Sequence, residues 1–384
     1  MNYSKLVITS TYTLERRTIE LFQLDELVKR DIEIEYWDVG PITYKIQFET
    51  QVIDGIKIVK FETKEEFSKY VKQTACKCTL YLVYMNFAPK TYFCYRELSK
   101  HNLDIAYCVN GVMPPLPSSL ITTVNLPRKI LKNLFNSNTW LHFIFRAIKK
   151  LPLLKPLRFQ FNTCKCAQVD YKINEKTKII PFNSTDFNAS KKELLDEINK
   201  PYYVFIDEYL PFHPDTLISG MRFMEADIYY QNMNRFFDRI ESETGIDVII
   251  AAHPIALKYK EYNYFKGRRV LFYKTASLIK HSIGVFNHCS TAMSLAIIFK
   301  KPIITLISDD MKVKVRSFYN ECKYVGEYIN SKIINIDHLP NNINFTSIDD
   351  YIYNNYKYDF LTNPESEKLS NADILYSVLM GCEK

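Results

Sequence analysis

Glycine is scarce in this chain, with nine among 384 residues. A phosphate-binding site here therefore cannot rest on a glycine-rich loop, the commonest backbone cradle for phosphates. Long apolar runs are absent as well. No stretch reaches the 18 or so apolar residues that a membrane-spanning helix requires, and the nearest, from 282 to 307, is interrupted by Asn287-His288 and by Lys300-Lys301. It reads as strand, loop, helix and strand. Metal-binding signatures are missing too. There is no Asp-x-Asp, and the pairs Cys76-x-Cys78 and Cys164-x-Cys166 lack the two-residue spacer and histidine partners of zinc sites. Neither a metal nor another cofactor is expected. Met1-Asn2-Tyr3-Ser4-Lys5 runs straight into an apolar strand without a secretory leader, and the nine cysteines are odd in number and scattered. A cytoplasmic protein with free thiols is the expectation.

The length suits two domains better than one. With 47% hydrophobic and 24% charged residues the chain is globular in composition. Its 28 tyrosines and 25 phenylalanines read as the bias of an AT-rich coding sequence rather than as stacking sites.

Strand and helix patterns alternate through the first 110 residues. Leu6–Ser10 is a short apolar strand, and Arg16–Lys29 carries a helical stripe of Leu21, Leu24, Leu27 and Val28. Ile32–Trp37 alternates at period two. Ile56–Val59, a Lys64–Gln73 helix, Leu80–Tyr84 and Ile105–Val109 follow. The alternation resumes with strands at Tyr202–Ile206, Asp247–Ala252, Val270–Tyr273, Ser282–Phe286 and Lys301–Leu306, and with a long helical region from Pro214 to Glu243. Strands and helices of these lengths imply parallel sheets wound on both faces. The expected fold is α/β, two Rossmann-like doubly wound domains facing a cleft. Domain boundaries are placed at 1–170 and 171–384, with the last helix packing back on the first domain.

The segment 113–169 differs in kind. Between Ala106 and Val169 there is no Asp or Glu, while nine Lys and Arg residues accumulate, among them Lys129, Lys132, Lys149 and Lys150. Ile130, Leu131, Leu134, Phe135, Trp140, Leu141, Phe143, Ile144 and Phe145 interleave with them. Two readings stand: a basic amphipathic helix on the anionic inner face of a membrane, or an inter-domain connection with a solvated basic face. No nucleic-acid-binding motif accompanies the charge, so no nucleic-acid partner is expected.

Polar residues gather where three strands of the second half end, the edge at which open α/β sheets bind ligands. Asp207-Glu208 follows the first strand; a carboxylate there can act as general base on a hydroxyl, or serve as a cap or ion-pair partner. His213, Pro214 and Asp215 come next, with Asp215 read as a helix N-cap. His253-Pro254 follows the second strand. The proline disfavours helical geometry at His253 and holds the imidazole beyond the strand, where it can donate to a phosphate. His288-Cys289-Ser290-Thr291 ends the third. Ser290 and Thr291 are expected to open a helix from Thr291 to Phe299, whose N–H groups and hydroxyls make an anion site without glycine. His288 adds a donor or merely packs.

His253-Pro254, Lys280-His281-Ser282, His288-Cys289-Ser290-Thr291-Ala292 and Lys301-Pro302-Ile303 together resemble the C-terminal half of bacterial GT-B glycosyltransferases of surface-polysaccharide synthesis. Those using CMP-activated sugars, the sialyltransferases and capsule Kdo transferases, are the most similar, with CDP-glycerol polymerases more distant. Such sialyltransferases share an acidic pair followed by glycine, then His-Pro, then Ser-Ser/Thr. The resemblance implies that Asp207 or Glu208 is the base and that His253, Pro254, His288, Ser290 and Thr291 surround the donor. The spacings, 46 residues from Asp207 to His253 and 37 onward to Ser290, follow that order, although Tyr209 stands where the family has glycine. It implies a metal-independent transfer from a nucleotide-sugar donor to a surface glycan or glycolipid acceptor. A UDP-sugar epimerase or hydrolase of the same fold, and a non-catalytic scaffold of polysaccharide synthesis, are the alternatives.

Overall fold

The computed structural model describes residues 2–43, 52–109, 113–117, 153–166, 171–192, 195, 198–213 and 224–382. Lys129, Lys132, Lys149, Lys150, Pro214 and Asp215 lie outside these residues, so the readings placed on them are neither met nor opposed. The chain divides into two compact units.

The first unit takes the described residues up to Val109, those from Leu153 to Asn188, and those from Phe360 onward. Its sheet has seven strands: β1 (Lys5–Ser10), β2 (Glu33–Asp38), β3 (Ile56–Lys60), β4 (Thr79–Tyr84), β5 (Asp104–Val109), β6 (Phe159–Asn162) and β7 (Lys178–Pro181). All pairings are parallel, in the order β3-β2-β1-β4-β5-β6-β7. Apolar residues fill both faces. Leu6, Ile8, Ile34, Leu80 and Leu82 belong to one buried cluster, and Val7, Trp37, Tyr81, Val83 and Ile105 to another. Such a two-faced core explains why these strands read as near-continuous apolar runs.

Three details differ from the sequence expectations. The stripe at 16–29 forms two helices, Arg16–Phe22 and Leu24–Val28, because Gln23 adopts a left-handed φ of 48° and stops the first turn. The boundary placed at 170/171 moves to 188/189: β7 pairs with β6, and the Asn188 amide donates to the Glu20 carbonyl at 2.8 Å. Cys76 and Cys78 are joined, whereas Cys94, Cys108, Cys289, Cys322 and Cys382 carry free thiols.

The final helix, Asn371–Leu379, belongs to this first unit. Asn371 donates to the carbonyls of Leu21 and Asn183, and the Tyr3 N–H donates to the Leu379 carbonyl at 2.7 Å.

The second unit takes 113–117 and the described residues from Ala189 to Asp359. Its six strands are β8 (Tyr202–Ile206), β9 (Asp247–Ala252), β10 (Val270–Phe272), β11 (Gly284–Asn287), β12 (Ile303–Ile307) and β13 (Lys332–Asn335). They are parallel in the order β10-β9-β8-β11-β12-β13. The order in which strands are added reverses between β8 and β11, so this pair is the topological switch point, where doubly wound sheets open a ligand crevice. The helix Ala226–Thr244 covers one face with Tyr229, Met233, Phe236, Phe237 and Ile240, and Gly245 ends it in a left-handed C-cap. Gly284 is where β11 passes beneath Phe345: a Cβ there would sit 2.5 Å from that ring, which stacks on Tyr203 and Phe286. Among the described residues no helix is long and apolar enough to cross a membrane.

Candidate functional site

The carboxyl ends of β8, β9 and β11 meet through hydrogen bonds from backbone to carboxylate. Asp207, the first residue past β8, is 2% exposed. One of its oxygens accepts the His253 N–H at 3.5 Å, while Oδ1 is buried without a partner. Burial pushes its pKa up to about 6, partly opposed by the Tyr209 N–H and the Tyr259 hydroxyl. Glu208 is half-buried and accepts the Cys289 N–H on both oxygens, at 3.2 and 3.3 Å. Burial raises its pKa to about 8. The Cys289 N–H works against that rise, and the carboxylates of Asp207 and Glu321 add to it. Two adjacent carboxyls thus part company near neutrality, Asp207 ionised and Glu208 holding a proton, chiefly because burial raises Glu208 further.

Tyr209 explains its own oddity. Its φ of 54° lies in the left-handed region, which glycine enters without strain and which a bulky side chain seldom adopts. The position that the resemblance reserves for glycine is thus a conformational one. Here an aromatic ring occupies it, packed edge-on against Tyr259 and tilted over Phe212.

His253 sits half-exposed at the end of β9. Pro254 and Ile255 turn the chain, closed by the Ala256 N–H to the His253 carbonyl at 2.9 Å. Nδ1 accepts the Ile255 N–H at 3.3 Å, so in the neutral ring Nε2 carries the proton. The ring of His213 stands perpendicular to it, with centroids 5.1 Å apart. Pro254 itself is exposed and shapes the turn.

His288 does not join the site. It is 1% exposed and spends both nitrogens inside the core. The Leu306 carbonyl can only accept, so Nδ1–H donates to it at 2.7 Å, which leaves Nε2 to accept the Tyr229 hydroxyl at 2.9 Å. Burial lowers its pKa to about 4 and keeps the ring neutral. Ser290 is half-buried, with Oγ accepting the Ala292 N–H at 3.3 Å, and Thr291 is exposed. The helix expected from Thr291 begins later and is short, Met293–Ile298. The two hydroxyls therefore stand in the turn before it, and Ser290 closes that turn.

Several neighbours carried no signal in the sequence. Tyr259 and Tyr230 join hydroxyls at 2.7 Å beside Asp207. Tyr229 and Tyr230 come from the long helix, Tyr259 from the turn after His253-Pro254, and nothing in their spacing links them. Asn287, fully buried at the end of β11, leaves both polar side-chain atoms without a hydrogen bond. Among the described residues no group of three or more His, Cys, Asp or Glu side chains is placed to hold a metal ion.

No protein-family model matches this chain, and none of the curated proteins matches it in sequence. Solved structures do match. The glycotransferase of kitacinnamycin aligns over 100% of this chain and 96% of its own, with 9% identity and a TM-score of 0.50. The wall teichoic acid polymerase TagF aligns over 98% and 90%, with 12% identity and a TM-score of 0.48. The UDP-GlcNAc 2-epimerase from Methanocaldococcus jannaschii aligns over 97% and 99%, with 12% identity and a TM-score of 0.47. At 9% identity the likeness to the kitacinnamycin glycotransferase shows the fold alone: two parallel-sheet, Rossmann-like units of the GT-B kind.

Proposed function

We propose that this chain is a GT-B glycosyltransferase that moves a sugar from a nucleotide-sugar to a hydroxyl acceptor, with the donor held at the switch point of the second sheet. One observation carries the reading: Asp207 binds the His253 backbone and Glu208 the Cys289 backbone, so one carboxyl pair gathers the ends of β8, β9 and β11. Glu208 reaches solvent and Asp207 does not. Glu208, once ionised, takes the proton of the acceptor hydroxyl as that oxygen bonds to the anomeric carbon. The bond from that carbon to the donor phosphate breaks, and the electron pair leaves with the nucleotide. His253 Nε2–H and the hydroxyls of Ser290 and Thr291 donate to the departing phosphate, supplying the stabilisation that a metal provides elsewhere. Asp207 is a positioning residue. CMP is the nucleotide favoured by the sequence resemblance. The first unit is assigned the glycan or glycolipid acceptor, and Lys129, Lys132, Lys149 and Lys150 the anionic inner surface of a membrane.

A second reading has support from the same pair. Two carboxyls with separated pKa values also suit proton exchange in a nucleotide-sugar epimerase or hydrolase.

A thermal-shift panel with CMP, CDP, UDP and GDP tests both. A bound nucleotide at a hundred times its Kd stabilises by about 2.7 kcal/mol, and His253→Ala should abolish that gain while the apo melting temperature stays put. A selective response to CMP supports a CMP-sugar donor; a UDP preference overturns that choice and keeps the transferase. Stabilisation by none of the four, in a folded protein, defeats the reading and favours a scaffold. Nucleotide release that proceeds equally without any glycan acceptor favours the epimerase or hydrolase.

A further inference from the structure

A cavity lies wholly within the first unit, at the amino-terminal edge of its sheet. Its volume is about 400 Å³, the size of a small-ligand pocket. Four neighbouring strands begin around it. Lys77 precedes β4, Asp104 opens β5, Arg158 immediately precedes β6 and Lys176 precedes β7, with Lys155 on the approach to β6. Four cationic side chains thus surround one carboxylate.

That carboxylate is already committed. Asp104 accepts Lys155 Nζ at 2.8 Å on one oxygen and the Tyr3 hydroxyl at 2.8 Å on the other. Among the described residues none of Lys77, Arg158 and Lys176 has an acidic partner. The backbone beneath them is pinned. The Arg158 N–H donates to the Ile105 carbonyl at 2.7 Å, and its carbonyl accepts the Lys178 N–H at 3.0 Å. Lys176 rides on a turn in which its own N–H donates to Asn174 Oδ1 at 3.0 Å, while Thr177 Oγ1 donates to the Leu157 carbonyl at 2.8 Å. Four cations around one hollow that holds a single carboxylate leave a net positive charge, and these like charges repel each other. An anion of charge two or more reverses that sign. Arginine's planar fork and lysine's point charge are the pair that nature sets against phosphate oxygens.

The geometry points to a phosphate-binding site formed by Lys77, Lys155, Arg158 and Lys176, separate from the site on the second sheet and suited to a pyrophosphate, a phosphate ester or a phospholipid headgroup. The test uses the full chain and reads each lysine by itself. Lysines are acetylated briefly with a small activated ester, and labelling at each position is followed by mass spectrometry. Inorganic pyrophosphate at saturation should slow labelling of Lys77 and Lys176 by about tenfold, with Lys64 in the same unit unaffected. Arg158→Gln should weaken that protection by about tenfold in pyrophosphate concentration. Should Arg158→Gln fail to fold, Lys176→Gln, on an exposed turn, serves instead, read at Lys77. Phosphatidylglycerol vesicles are compared with phosphatidylcholine vesicles in parallel. Protection by free pyrophosphate assigns a soluble phosphate compound, and protection by phosphatidylglycerol alone assigns a lipid headgroup. Unchanged labelling with both, or protection that survives in the folded variant, overturns the inference. Because the readout is local, a failed donor site on the second sheet leaves it untouched.

Discussion

Replacing Glu208 with glutamine offers a test that needs no substrate. In the folded chain this carboxyl rises from a glutamate's ordinary 4.5 to about 8. A carboxyl raised on folding holds its proton in the native state and releases it in the unfolded one between those two values. Its contribution to stability is therefore complete below about pH 4.5 and lost as pH climbs through about 8. Each pH unit in that interval is worth about 1.4 kcal/mol, so complete burial would give about 5 kcal/mol. Solvent reaches one edge of Glu208 and screens it, which brings the expected loss to about 2 kcal/mol. Glutamine copies the shape of the protonated acid and keeps an oxygen for the Cys289 N–H, but it does not titrate. Urea unfolding of both proteins from pH 5.5 to pH 9 isolates the effect, because other titrating groups cancel in the difference. The wild type should lose about 2 kcal/mol relative to Glu208→Gln over that range. Parallel curves would refute the raised pKa, and with it Glu208 as a base poised near neutrality.

Gly284→Ala should destabilise the second unit by about 1–3 kcal/mol through overpacking, since the new methyl meets Phe345 at 2.5 Å. Thermal melts check it, and Phe345→Leu should restore part of the loss. His288→Ala strands the Leu306 carbonyl and the Tyr229 hydroxyl, at about 2–4 kcal/mol. Because folding depresses this histidine from 6.5 to about 4, its contribution should be lost as pH falls from about 6.5 toward 4, a slope absent from the variant. Changing Lys129, Lys132, Lys149 and Lys150 together to glutamine should weaken sedimentation with anionic vesicles by about a thousandfold, at roughly 1 kcal/mol for each charge. Equal sedimentation of variant and wild type would remove the membrane from the proposal.

The strands that sequence exposes most clearly are those buried on both faces. Leu80–Tyr84 and Val248–Ala252 read as apolar runs because neither face tolerates a polar residue. β6, β7 and β13 escaped. Each is four residues long, too short for periodicity to register. Of β6 and β7, only β7 lies beyond the boundary placed at 170/171, and its pairing with β6 carries the first unit past it. The strand-end placement of Asp207, Glu208 and His253 is legible because each follows an apolar run directly, and strand ends are where such sheets bind ligands. His288 misled for the same reason. It holds the matching position after β11, and only the partners of its two nitrogens reveal that it turns inward. The Tyr230–Tyr259 contact joins residues 29 apart on different elements, and no local pattern encodes such a meeting.

The two units stand differently toward synthesis on the ribosome. The second is almost continuous in the chain, and its sheet is complete once residue 335 has emerged. The first must wait. Its opening strand ties to Leu379, and Asn371 satisfies carbonyls at Leu21 and Asn183. Some 170 residues of the other unit are made in between, while the face destined for the Asn371–Leu379 helix lies open. The half that begins first is completed last, and that open face is where aggregation during synthesis would begin.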